Sequence, residues 1–407
     1  MKKYLIVLKI CIFFILFGAY SAAGQAHEAH TQPSDLAISL AFDAQGKLWR
    51  TYAKDGFVWV DYAENVSEGV LKNFSAPVKV NQTQQDIKPM GEVRPKIAIG
   101  SKNEIYLAWM ENLKPRFAGY IWFARSIDGG KTFEPPTILH QDRAEIGHAF
   151  ESIQVAPNGD VTVVWLDARD LVAAKKSGKS HPGSSVYYAV SKNAGQSFSQ
   201  EQKLTNGSCE CCRIALATKP DNTVVAFFRY VFEGGERDHM VAEIPTQPGQ
   251  AVFTKRASYG NWKVDGCPHH GGAIASGGEG KDWWGFYLAY FDGQEAKPGL
   301  YFTRVDGEAW SFVPPKKFGN HQKQASHPAL MSQGTKAWLV WREVDGKVNQ
   351  IYMKFTGDDG RNWSEPKLLL TAEGKVDYPQ LLKNNEHVYL LWNTQHKGLL
   401  VQGLKAE

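Results

Sequence analysis

Two short segments concentrate the residue types that bind metals or form disulfides. One is Cys209-Glu210-Cys211-Cys212, and the other is Cys267-Pro268-His269-His270. Thiolate and imidazole together suit copper(I) or zinc. In an oxidising compartment the same thiols would bridge, because four cysteines remain outside the N-terminal apolar run and four is an even number. Cys267 would then pair with one of Cys209, Cys211 and Cys212, leaving the other two a very tight ring. His148 and His327 stand at the matching point of two further units and add two imidazoles. Metal site and disulfide both remain open on these residues.

A second set could handle an anion. Arg94-Pro95-Lys96-Ile97 opens an apolar run, Arg213 follows the cysteine segment, and Arg342 ends a strand-like run. A guanidinium grips a carboxylate through two parallel hydrogen bonds, which gives both energy and orientation. Tyr378-Pro379 opens the last run, Asp167-Ala168-Arg169 follows another, and Glu151 lies between them in the chain. A hydroxyl and carboxylates of this kind can move protons or attack a sugar carbon. Hydrogen bonding between units would employ Arg94 and Arg342 equally well, and core packing would employ Tyr378.

The elements that position these residues are strands. Ser126-Ile127-Asp128-Gly129-Gly130-Lys131-Thr132-Phe133 recurs, with changes, at residues 191, 303 and 356. The copy at 191 has Asn193 for the acid, and in the copy at 303 the acid has slipped by one, to Asp306. A hydroxyl, an acid or amide, a glycine and an aromatic at this spacing make a turn clasp between two strands. Recurrence at such a period marks stacked supersecondary units. Seven pairs of short alternating runs are legible: 37–42 with 47–52, 95–99 with 104–109, 152–156 with 160–165, 214–218 with 223–228, 272–276 with 283–289, 328–331 with 336–341, and 379–382 with 387–392. The fold class is therefore all-β: a β-propeller of four-stranded blades, seven favoured and six the alternative. The segment before Leu36 could complete the last blade, and 173–183 reads as a long polar loop.

These repeats resemble the Asp-box (BNR) repeats of the sialidase superfamily. The resemblance implies an exo-sialidase-like glycoside hydrolase or a glycan-binding module, with its site where inner strands begin. It implies a carboxylate sugar held by three arginines, for which Arg94, Arg213 and Arg342 are the candidates. It also implies a tyrosine nucleophile assisted by a glutamate, with an aspartate as acid/base: Tyr378, Glu151 and Asp167. The chain departs from that pattern where Cys212-Arg213, His269-His270 and His327 head inner strands. A Cys/His rim holding copper or zinc, in a periplasmic metal-binding or redox-linked propeller, is the alternative function. Its ligands would be Cys209, Cys211, Cys212, Cys267, His148, His269, His270 and His327.

Residues 1–26 read as a signal peptide: two lysines, an apolar run, then small residues, with cleavage after Ala23 or Ala26. Residues 27–407 would form one domain, exported to the periplasm or secreted, with no membrane span once the signal is cleaved. The formal charge of +4 falls to +1 without the three lysines of that segment. Nothing in it points to nucleic acid. The expected partner is an acidic glycan or a small molecule. A mature start at His27-Glu28-Ala29-His30 could chelate copper through its amine and imidazoles.

Overall fold

The computed structural model describes residues 36–247, 249–266 and 268–406. The expected signal peptide, the histidines at 27 and 30, and Cys267 lie outside these residues. Seven four-stranded antiparallel sheets form seven blades. Blade 1 holds Ser39–Phe42, Leu48–Lys54, Phe57–Ala63 and Val78–Lys79, and blade 2 runs from Lys96–Ile99 to Thr137–Ile138. Blade 3 runs from His148–Val155 to Gln202–Ser208, and blade 4 from Ala215–Thr218 to Phe253–Arg256. Blade 5 runs from Ala273–Gly277 to Lys316–Phe318, and blade 6 from Ser326–Gln333 to Lys367–Glu373. The first strand of each blade touches the first strand of the next, and that of blade 7 touches that of blade 1, so the ring is closed.

Blade 7 consists of Gln380–Asn384, His387–Thr394 and Gly398–Leu404, and its outer strand is Gly69–Leu71. The segment expected to close the ring was the one before Leu36; the strand that does so lies after the third strand of blade 1. Closure by the other end of the chain removes an unpaired edge.

Second strands are the most deeply buried. Trp109, Trp165, Trp341 and Trp392 occupy corresponding places near their ends and are fully buried. Between blades 2 and 3, Tyr106, Ile121 and Phe123 pack on Val161, Val163 and Trp165. Each turn clasp joins the third and fourth strands. In blade 2, Asp128 accepts hydrogen bonds from Lys131 N, Thr132 N and Thr132 Oγ1, and Ser126 Oγ accepts one from Gly130 N. Gly130 has φ +80°, and a Cβ there would come within 2.4 Å of Trp49 in blade 1. The clasp thus needs glycine both for its backbone and for its seat on the preceding blade.

In an antiparallel meander these clasps lie at the end of the ring opposite the starts of the inner strands. The functional candidates sit at those starts. One helix, α1 (Arg169–Lys176), falls partly in the stretch expected as a loop and buries no residue. No helix among the described residues is long and apolar enough to cross a membrane.

Candidate functional site at the channel mouth

The entries of the inner strands in blades 3 and 6 are distorted in the same way. The register shifts between Ala149 and Ser152, and between Ser326 and Ala329, so two residues face one on the neighbouring strand. The first extra residue has a left-handed backbone in both: Phe150 at φ 57° and His327 at φ 53°. Bulges re-aim side chains beside sites, and strained non-glycine residues persist where the surroundings hold them. Here the bulges present Glu151 and His327.

A cavity of about 270 Å³ opens at this end. Its polar lining includes Glu92, Lys96, Arg213, Tyr378, Ser152 and Gln154. Arg213 crosses it from blade 4, donating from Nε to Gly272 O (3.2 Å) and from Nη2 to Pro328 O (3.0 Å). Its Nη1 lies 3.8 Å from Glu92 Oε1, and its backbone N–H donates to Glu92 Oε2 at 2.9 Å. Gly91 and Gly271 make room for the site. A Cβ on Gly91 would meet the Tyr378 hydroxyl at 2.1 Å, and one on Gly271 would meet Arg213 Cγ at 2.1 Å.

Several buried polar atoms around this cavity lack a hydrogen-bond partner: both carboxylate oxygens of Glu151, Glu92 Oε1, Arg342 Nε and both ring nitrogens of His327. Buried polar groups are nearly always satisfied, so this concentration marks the cavity as the candidate site. Burial pushes the Glu151 carboxyl up to about 7, against the pull of the Lys96 ammonium. Burial, then the nearby Arg94 charge, brings Lys96 down to about 8, against Glu151 and Glu92. Both groups therefore titrate near neutrality. Burial drives His327 well below the usual imidazole range, helped by Arg342, so its ring is neutral. That ring stacks on Tyr378 at 3.7 Å. Burial, then the Glu92 charge, raises the Tyr378 hydroxyl above the ordinary phenol range.

The other sequence candidates have partners within the fold. Arg94 lines the cavity too, but its guanidinium is engaged by the protein. Its Nη1 and Nη2 each bond Asp377 at 2.6 Å, and Nε and Nη1 also donate to Gly91 O and Ile38 O. Asp167 is fully buried and accepts from Trp165 Nε1 (3.0 Å) and from Arg169 N, Nε and Nη2. Blade 6 repeats this indole–carboxylate pairing between Trp341 and Glu343 at 2.8 Å, which marks a structural role. His148 lies 3.6 Å from Asp167 and stacks on His140 at 3.9 Å, away from the cavity lining.

The thiols and imidazoles do not share one site. Cys209, Cys211 and Cys212 are buried in the core between blades 3 and 4. No disulfide joins any two of these three. His270 stacks on Phe291 at 4.3 Å with its ring 5.4 Å from His327, and His269 beside it has φ 48°. Glu92, Lys96 and Asp377 were not singled out in the sequence as residues of this site. The only signal for them is position, directly beside Arg94 and Tyr378.

No family model and no curated protein matches the chain. Solved structures do. The polysaccharide lyase Uly1 aligns over 93% of this chain and 91% of its own, at 9% identity and a TM-score of 0.55. A PL25 ulvan lyase bound to -[GlcA(1-4)Rha3S]- aligns over 93% and 95%, at 9% identity and 0.52. The Hadza microbial sialidase Hz136 aligns over 89% and 74%, at 15% identity and 0.47. The fold is a seven-bladed β-propeller of the kind these polysaccharide lyases share. At these identities the likeness is one of fold. Of the set that the sialidase pattern implies, Arg94 is paired with Asp377, and Asp167 with Trp165 and Arg169.

Proposed function

We propose that the channel mouth is a glycan-active site for an acidic sugar, and that it cleaves a uronate-containing polysaccharide by elimination. The carrying observation is the Lys96–Glu151 pair beside the cavity, with the carboxylate of Glu151 unpartnered and both groups poised near neutrality. Neutral Lys96 is the base for the C5 proton of the uronate. Arg213, which faces the same cavity, holds the sugar's carboxylate and stabilises the negative charge that develops there. Tyr378 donates its hydroxyl proton to the departing O4. The C4–O bond breaks, a C4–C5 double bond forms, and no water is consumed.

Two features favour this over tyrosine-mediated hydrolysis. The raised Tyr378 hydroxyl is a proton donor rather than a ready nucleophile. Arg94 already holds the Asp377 carboxylate through both terminal nitrogens, which disfavours a receptor of three arginines. Two propellers of the same fold are named polysaccharide lyases, which supports elimination by analogy alone. Export of the chain is part of this proposal, since such polymers lie outside the cell. The test is incubation with a panel of uronate polymers and a fluorogenic sialoside, reading the ultraviolet absorbance of unsaturated ends and the released fluorophore.

A further inference from the structure

The channel-mouth reading leaves Cys209, Cys211 and Cys212 unused. They occupy the connection between the last strand of blade 3 and the first strand of blade 4. Cys209 Sγ lies 3.6 Å from Cys211 Sγ and 3.7 Å from Cys212 Sγ. All three sulfurs fall within 4.8 Å of one another. A tetrahedral ion with metal–sulfur bonds of about 2.3 Å has sulfur–sulfur edges of about 3.8 Å. The two distances from Cys209 match such an edge.

The surroundings fit an anionic metal–thiolate group. Arg237 Nη1 donates to Cys209 Sγ at 3.2 Å. Arg229 is buried and ties this corner together, donating from Nη1 to Arg237 O at 2.7 Å and from Nη2 to Phe291 O at 2.7 Å. Three thiolates around Cu(I) carry two net negative charges, and two guanidiniums stand ready to balance them. The backbone is fixed as well, since Cys209 N donates to Arg229 O at 2.9 Å. The sulfurs pack against Phe150, Leu166 and Val186 of blade 3 and Ile214 and Phe228 of blade 4. All three cysteines are at most 3% exposed, so the site is closed to substrates and structural in kind.

We infer that Cys209, Cys211 and Cys212 form a thiolate site for one thiophilic d10 cation, Cu(I) or Zn(II), which fixes the connection between blade 3 and blade 4. The set lacks an imidazole or carboxylate among the described residues. Three thiolates satisfy Cu(I), while Zn(II) takes a fourth ligand, and separate titrations distinguish the two. This inference does not depend on the glycan reading, because no cysteine lines the channel-mouth cavity.

The experiment is anaerobic titration of the reduced full chain with Cu(I) against a chromophoric competitor, and separately with Zn(II) against a metal-sensing dye. The expected result is one ion per chain, with thiolate-to-copper absorption in the Cu(I) arm. Binding should weaken by roughly a hundredfold or more in Cys212→Ser and Cys209→Ser. A loaded chain should also melt at a higher temperature than the metal-free one, because the ion binds only the folded state. If the reduced wild-type chain takes up neither ion at one equivalent, the inference falls, whatever the variants do. It falls equally if uptake is unchanged in both variants, or if the thiols recover from cells only as a disulfide that no metal protects.

Discussion

Arg94 and Asp377 lie 283 positions apart in the chain and meet through two parallel hydrogen bonds of 2.6 Å, both side chains buried. Arg94 opens blade 2, Asp377 precedes blade 7, and the same guanidinium bonds Ile38 O beside blade 1. The pair therefore clamps three blades where the ring closes. Burial works against the Arg94 charge, but Asp377 more than offsets it and holds the guanidinium protonated. Arg94→Met would leave Asp377 as an uncompensated buried charge and should cost about 3–5 kcal/mol. Replacing both by apolar residues should recover much of that. Urea denaturation of the two single variants and the double variant gives the coupling directly; additive losses would mean the pair is not a clamp.

Proton abstraction by Lys96 sets a sign for the pH profile. The base works only when neutral, so turnover should rise with pH through about 8, the value to which burial brings Lys96. The Glu151 carboxylate opposes that fall by stabilising the ammonium. Glu151→Gln removes its charge, so the Lys96 pKa should drop further and the rising limb should move to lower pH. Initial rates across a buffer series check both points. A rate that falls as pH rises would instead assign the chemistry to a protonated carboxyl group.

Tyr378 is placed as proton donor to the leaving oxygen. Tyr378→Phe keeps the ring stacked on His327 and removes only the hydroxyl. Turnover should drop by about 10²–10⁴-fold, the usual contribution of one acid–base group, with little change in KM. A large rise in KM at unchanged kcat would make Tyr378 a binding residue only.

The turn clasps respond to acid in their own way. Hydrogen bonds from Thr132, then the others, hold Asp128 down to about 2, below its usual 3.8. A depressed carboxyl contributes stability above its unfolded value and loses that contribution as pH falls through the folded one. Blade 3 achieves the same clasp with Asn193, whose Oδ1 accepts from Ser197 N at 3.0 Å. Asp128→Asn should therefore cost little at neutral pH, within ~1 kcal/mol for so exposed a group. It should also flatten the loss of stability between pH 3.8 and about 2. Melting temperatures over that range test this.

The architecture was legible because each blade repeats one local pattern. Alternating second strands, the aromatic that ends them, and the clasps at residues 126, 191 and 356 depend on neighbours in sequence. The closing strand was not legible. Gly69–Leu71 has three residues, and its partner in blade 7 is at the other end of the chain. Candidate residue types were readable, but their roles depend on partners that only the fold supplies. Arg94 looked like a carboxylate receptor until Asp377 met it. Asp167 looked like an acid at the mouth until Trp165 and Arg169 occupied it. The cysteine and histidine segments do reach the same end of the ring, yet they separate there. The thiols turn inward between blades 3 and 4, while His327 stacks on Tyr378 and His270 on Phe291.

The most direct measurement is the yield of unsaturated ends from a uronate polymer panel by the wild-type chain and by Lys96→Met. Elimination at the channel mouth requires a product absorbance in the wild type on at least one polymer, and a loss of about 10²-fold or more in the variant at equal folded content. No unsaturated product on any uronate polymer, or a Lys96→Met rate equal to wild type, would contradict it.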